Sequence, residues 1–299
     1  MFVSNLLQKT FCLLLVLSVT IAHGQTRKVE TLVANFPANG ALSVDADGNV
    51  YVSEYGVYTQ TGGNGTRNFK ISPSGKVLDS IIGLSGPMGS IKDSKGNFYV
   101  NNDNNTQRGI VLKIDTNGKR TNFAEVPGWP SCMAIDRNDH LYITNYNAPE
   151  IYKINPQGEK EVYVKDNRLK GSVGVDFDSK GNLIVANFTT AAIFSINKKG
   201  EIREIATLKP IVVQGWGIGY LTVVDDQIYV TGIAVNKIYR VSLEGEVFRF
   251  AGNGTPKSKD GPLQQASFAR PNGIASDKKH KILYISEYGR GGGIRKIQL

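Results

Sequence analysis

Two acids stand in identical surroundings near opposite ends of the chain, in Ser53-Glu54-Tyr55-Gly56 and Ser286-Glu287-Tyr288-Gly289. Each acid lies two residues past a short apolar run, Val50-Tyr51-Val52 or Leu283-Tyr284-Ile285. Three amides hold the same place elsewhere: Asn102 after Phe98-Tyr99-Val100, Asn145 after Leu141-Tyr142-Ile143, and Asn187 after Leu183-Ile184-Val185. Gly232 follows the sixth run, Ile228-Tyr229-Val230. Strand propensity fills such places with apolar or β-branched residues, so carboxylates and carboxamides there ask for a reason. Joined by Asn272, they form a hard-oxygen set suited to Ca²⁺, or to Mg²⁺ with waters. Equally, such groups hydrogen-bond to one another and to enclosed water. The residues alone leave both readings open.

Histidine, the usual acid–base group, is missing from this set. His23 sits in an N-terminal apolar leader, while His140 and His280 fall in polar turns and are expected to be exposed at the far end of the strands. Cys132 has no histidine near it in the pattern and reads as a small core residue.

These positions are set by a repeat. The six apolar runs are separated by 48, 43, 42, 45 and 55 residues, a period typical of propellers and related arrays. A turn of one kind precedes most of them, as in Asp45-Ala46-Asp47-Gly48-Asn49 and Asp178-Ser179-Lys180-Gly181-Asn182. Asp caps such a turn through its side chain, and Gly or Asn takes the left-handed position. Third strands follow, among them Phe69-Lys70-Ile71, Tyr239-Arg240-Val241 and Arg295-Lys296-Ile297. Five units continue into a fourth strand; the sixth stops at Leu299, while Lys28–Val33 reads as a fourth strand with no unit before it. An all-β, six-bladed propeller of four-stranded antiparallel blades, its ring closed by the N-terminal strand, explains both ends.

Residues 1–24 read as a secretory signal peptide cut near Gly24: Lys9, an apolar stretch from Phe11 to Val19, then small residues. The stretch is too short to span a membrane. Residues 27–299 are then one domain, exported to the periplasm or secreted. The formal net charge of +9 becomes +8 without Lys9 and is spread over turns rather than gathered in a block. Nucleic acid is therefore a poor partner; acidic glycans suit the charge better. Cys12 leaves with the leader, so Cys132 has no disulfide partner.

The last unit carries a resemblance. Gly252-Asn253-Gly254, Asp260-Gly261, Ala266-Ser267-Phe268, Pro271-Asn272-Gly273-Ile274-Ala275 and Ile294-Arg295-Lys296-Ile297 resemble the NHL repeat. The other units are similar to senescence marker protein/gluconolactonase-like propellers and to streptogramin lyases. In gluconolactonase-like propellers a divalent metal sits in the central channel, held by the Asn of such Pro-Asn-Gly segments and by groups ending second strands. The resemblance thus implies a calcium site at Asn272, Glu287, Glu54, Asn102 and Asn145, with Asn187 on the same circle. The positions equivalent to Asn272 are read as Gly40, Met88, Ser131, Val173 and Ile218, which depart from that pattern. The missing channel histidine argues against streptogramin-lyase-like chemistry.

Aromatic residues mark a ligand wall. Counting back seven from each turn gives Ala38, Gly86, Trp129, Gly171, Trp216 and Arg270, so both tryptophans and an arginine are expected on one rim. Tyr55, Tyr146, Phe188 and Tyr288 directly follow the polar circle. Two indoles with a guanidinium suit stacking and anion binding, and the loops Lys209–Gln214 and Thr59–Thr66 can lid such a site. The expectation is a monomeric binding propeller taking a small molecule, glycan or peptide at its channel face. The alternative is a Ca²⁺-dependent lactone or ester hydrolase resembling the gluconolactonase-like family.

Overall fold

The computed structural model describes residues 27–59, 62–106 and 108–299; the leader read in residues 1–24 lies outside the described residues. The chain folds as six four-stranded antiparallel blades around one axis. Blade one is Leu42–Val44, Val50–Ser53, Asn68–Ile71 and Val77–Ile81, from the axis outward. Blades two to five repeat that order from Ser90, Pro130, Ser172 and Ile218.

Blade six is assembled from both ends of the chain. Pro271–Asp277, Ile282–Glu287 and Ile294–Gln298 supply three strands, and Lys28–Val33 adds the fourth. Val29 pairs with Ile297 and Val33 with Ile294, which completes blade six and closes the ring. The strand Gly261–Pro262, from the long connection between blades five and six, adds a fifth.

Blades one to four each start with an aspartate-capped hairpin, and in blade six Asp277 accepts the His280 N–H. Asp45 Oδ1 accepts the N–H groups of Asp47 and Asn49, at 3.1 and 2.9 Å, and Asp93, Asp136 and Asp178 repeat the arrangement. This side chain satisfies turn donors that no ladder reaches. His140 and His280 lie in these hairpins, with Nδ1 against Asp136 and Asp277. The chain enters on this hairpin face, where Lys28 and Val29 run alongside Ile297, and it finishes there, with Leu299 donating to the Lys281 carbonyl at 2.9 Å. Between blades, alternate residues of the inner three strands pack into apolar layers.

A polar clasp ties the closing strand down. Asp260 accepts the backbone N–H and hydroxyl of Thr31, and Arg295 Nη2 reaches the same carboxylate at 2.6 Å. Burial disfavours the charged Asp260 carboxylate, but the bonds from Thr31 and Arg295 outweigh it and hold the group below its ordinary 3.8. Such a group contributes stability above its unfolded-state value and loses it as pH falls through its folded-state value. The thermal midpoint is therefore expected to hold near neutrality and to drop below about pH 4. Asp260→Asn should show a smaller acid-side drop than wild type in melts from pH 7 downward; an identical drop would remove Asp260 from the clasp.

Candidate ligand site at the channel mouth

The second strands run toward the face opposite the hairpins, and there the chain opens a cavity of about 480 Å³. One residue past the polar circle, Tyr55, Tyr146, Phe188, Ile233 and Tyr288 all line it. The polar circle itself does not, because adjacent residues of an extended chain point to opposite sides. Asn102, Asn145, Asn187 and Glu287 instead fasten the loops that lead into the inner strands, and Glu54 fastens the loop before the third strand of blade one. Asn145 Oδ1 accepts from the N–H of Trp129 at 3.0 Å, and Nδ2 donates to the Pro127 carbonyl at 2.8 Å. Asn187 Nδ2 donates to the Arg168 and Lys170 carbonyls, while Oδ1 takes the N–H groups of Thr189 and Thr190. Asn102 Oδ1 accepts from Ser85, and Glu54 Oε2 from Thr66.

Glu287 is engaged most completely. Its side chain is 0 % exposed and forms an ion pair with Arg295, whose own side chain is 0 % exposed, at 3.0 Å. Ala269 N–H, Gly293 N–H and the Ser258 hydroxyl fill the remaining positions on the carboxylate. Glu54 and Glu287 share a sequence but not an environment, since blade one has Phe69 at the register position of Arg295.

Of the oxygen set read from the sequence, only Asn272 lines the cavity. Its Nδ2 donates to the Asn39 carbonyl at 2.8 Å, and Oδ1 makes no hydrogen bond among the described residues. These donors do not fit calcium as arranged: the ion needs six to eight oxygens turned to one point, and the carbonyl or carboxylate oxygens of Asn145, Asn187 and Glu287 each already accept from backbone N–H groups. Among the described residues no group of three His, Cys, Asp or Glu side chains comes together as a metal site.

What gathers at the mouth is aromatic. Tyr58 stacks on Trp129 with ring centroids 6.4 Å apart and planes 16° from parallel. Trp129 meets Tyr146 edge-on at 5.1 Å, and Tyr146 meets Phe188 at 6.1 Å. Phe188 contacts Trp216 at 5.7 Å, Trp216 contacts Tyr288 at 5.7 Å, and Tyr288 closes on Tyr55 at 5.9 Å. The collar thus begins and ends on blade one, with Met88 filling the gap at blade two. Burial, then the neighbouring phenols of Tyr288, Tyr58 and Tyr146, raise the Tyr55 hydroxyl, which stays a neutral hydrogen-bonding group.

Tyr220 forms part of the floor. At its register position the other blades have Ala41, Gly89, Cys132, Gly174 and Gly273, so one ring occupies a throat otherwise lined by small residues. Burial holds its hydroxyl protonated far beyond the usual range. Cys132 beside it is also buried, its thiol pushed up to about 12, which rules out a thiolate at neutral pH.

Two register expectations are corrected by the pairing. Blade five turns through Asp225-Asp226, a two-residue hairpin with φ of 49° and 56°, one residue shorter than the hairpin of blade three. The match for Asn272 is therefore Gly219, not Ile218, and the match for Trp129 is Gly217. Trp216 reaches the collar from the preceding loop, together with Gln214 of the segment read as a lid. Of the other lid segment, residues 60 and 61 lie outside the described residues. Arg270 is exposed on the rim, its guanidinium 5.8 Å from the Trp216 ring centroid.

No protein family's sequence profile matches the chain, and no curated protein matches it by sequence. Solved structures do match. An auxiliary nutrient binding protein from Bacteroides thetaiotaomicron aligns over 91% of this chain and 76% of its own, with 16% identity and a TM-score of 0.71. A catalytically inactive histidine-to-alanine virginiamycin B lyase from Staphylococcus aureus, solved with quinupristin, covers 91% and 99%, with 16% identity and a TM-score of 0.62. The PQQ-bound aldose sugar dehydrogenase of Streptomyces coelicolor covers 90% and 97%, with 12% identity and a TM-score of 0.66. The likeness is one of fold. This chain is a six-bladed β-propeller, and among its described residues no helix is long and apolar enough to cross a membrane.

Proposed function

We propose that this propeller is a binding protein whose aromatic collar holds a small molecule with one flat, weakly polar face. The carrying observation is the cavity wall, seven mutually contacting rings around about 480 Å³ with no charged side chain among the lining residues. That volume lies in the range of small-molecule sites. Aromatic faces take up sugar rings or planar ligands through contact area, and a few polar groups fix orientation. Here those groups are the Asn272 carboxamide, the Ser131 and Tyr55 hydroxyls and the Thr189 side chain.

The neighbours support binding as well: one is named as nutrient binding, and another was solved with quinupristin. The lyase in that pair is inactive with its histidine replaced, and no histidine lines the cavity of this chain. Calcium-dependent hydrolysis of a lactone gains no support, because the cavity wall holds no carboxylate to serve as base or ligand.

The test uses a feature of composition. The chain has two tryptophans, and both are in the collar, so tryptophan emission excited selectively over that of the 13 tyrosines reports on the mouth alone. Titration with monosaccharides, disaccharides, small aromatic compounds and short peptides is expected to shift or quench the emission for one class. Trp129→Ala and Trp216→Ala, each leaving the other indole as reporter, should weaken that ligand about tenfold or more, a loss near 1.4 kcal/mol. Both indoles are only half-buried, so thermal midpoints should move by a few degrees at most. A panel that leaves the emission unchanged, or variants that unfold early yet bind as wild type, would overturn the proposal.

A further inference from the structure

Arg270 occupies a backbone conformation that its side chain does not favour. Its φ is +53°, and Gly86 and Gly171, at the same register position in blades two and four, have φ of +56° and +93°. A left-handed non-glycine residue costs on the order of 1 kcal/mol and persists where its surroundings enforce it. Asn236 supplies the enforcement: its Oδ1 accepts the Arg270 N–H at 3.0 Å, and the Arg270 carbonyl accepts Tyr288 N–H at 2.8 Å. Blade six has kept an arginine where two other blades have glycine, and this arginine is held over the collar.

The guanidinium has no acid to neutralise it. Among the described residues it makes no hydrogen bond or ion pair, only the contact with the Trp216 face at 5.8 Å. The acids of its own and adjoining loops are committed elsewhere. Glu287, next to Tyr288 in the chain, is turned inward onto Arg295, and Asp260 is shared between Arg295 and Thr31. A planar cation with five donors thus stands free at the lip of a cavity whose wall carries no charge.

We infer that the ligand is an anion, a ring compound bearing a carboxylate or comparable group, whose ring enters the collar and whose charge pairs with Arg270 at the rim. This rests on the binding reading above. Arginine meets a carboxylate through two parallel N–H donations, a bond about twice as strong as a neutral one. The Trp216 ring, with its centroid 5.8 Å from the guanidinium carbon, attracts the cation toward the collar side of the rim. Uronic acids and aromatic acids share this chemistry.

Two matched pairs test the inference and separate those sources: glucuronate against glucuronamide, and benzoate against benzamide, each titrated by tryptophan fluorescence. The acid is expected to bind about tenfold or more tightly than its amide in whichever pair fits the collar. Arg270→Gln should collapse that ratio toward one, and Arg270→Lys should leave an intermediate ratio. The neutral quencher acrylamide and the anionic quencher iodide give a ligand-free control. Iodide should quench wild type more strongly than Arg270→Gln, while the acrylamide response should change far less. Equal affinity for acid and amide, or a preference that survives Arg270→Gln, overturns the inference and leaves the binding reading standing. No response to any of the four compounds, with iodide quenching unchanged by the substitution, overturns the inference and counts against the collar as a binding site.

Discussion

Deletion of residues 27–33 is expected to destroy cooperative folding rather than trim a loose end. The segment provides the outer strand of blade six, with a fully buried Val29 and a ladder from Val29–Ile297 to Val33–Ile294. Burial of Val29 and partial burial of Leu32 and Val33, with the ladder bonds, sum to on the order of 5 kcal/mol. A domain is stable by about 5–15 kcal/mol in all, so the loss removes most of it. The deletion also frees the edge of Ile294–Gln298, an exposed strand edge of the kind that templates aggregation. Circular dichroism melts of the truncated chain should show a broad early transition or an insoluble product. A peptide of residues 27–34 added in trans should recover part of the transition. A truncated chain melting within a few degrees of the full one would mean that the ring does not depend on this closure.

Arg295→Met is expected to be the most damaging single substitution, although methionine suits a strand interior. The change leaves the Glu287 carboxylate enclosed with no cation, and breaking one partner of a buried pair costs about 3–5 kcal/mol. At about 2–4 °C per kcal/mol for a domain of this size, the midpoint should fall by roughly 6–20 °C. Glu287→Gln in the same chain removes the stranded charge and should restore at least half of the loss. The twin tetrapeptide gives the comparison: Glu54→Gln should shift the midpoint by a degree or two, because Glu54 is half-exposed and has no cation. Differential scanning calorimetry of these three variants and of Glu287→Gln alone decides it. Equal sensitivity at both acids would show that the ion pair is incidental.

The architecture was legible because the determinants of a blade are local. Aspartate-capped turns, period-two apolar runs and their 42–55 residue spacing depend on nearest neighbours, and each matches a hairpin or strand of the fold. The second-strand ends were placed correctly as a circle, but the side of the chain that faces the cavity was not. That depends on which residue first leaves the ladder, and the turn after Val52 or Ile285 is not written in those residues. The inward turn of Glu287 had a readable sign: Arg295 holds a position filled by Phe69, Leu112, Tyr152, Phe194 and Tyr239 in the other blades. A charge in an apolar column asks for a buried partner. Tyr220, alone among Ala, Gly and Cys at the throat, was similarly visible once the short hairpin of blade five is allowed for. Tyr58 was not, since it reaches Trp129 on a two-stranded excursion, Tyr58–Thr59 with Gly62–Gly63, that belongs to no repeat.

Both ends of the described fold lie on the hairpin face. Lys28 and Val29 pass beside Ile297, Leu299 is bonded to Lys281, and the collar opens at the opposite end of the axis. The molecule is therefore vectorial. A surface, a dye or a second protein coupled through residue 27 or residue 299 would leave the mouth pointing away from the attachment. Anchoring on a sensor chip by either end should preserve full binding capacity, whereas random coupling through lysines would orient a fraction of molecules with the mouth against the support.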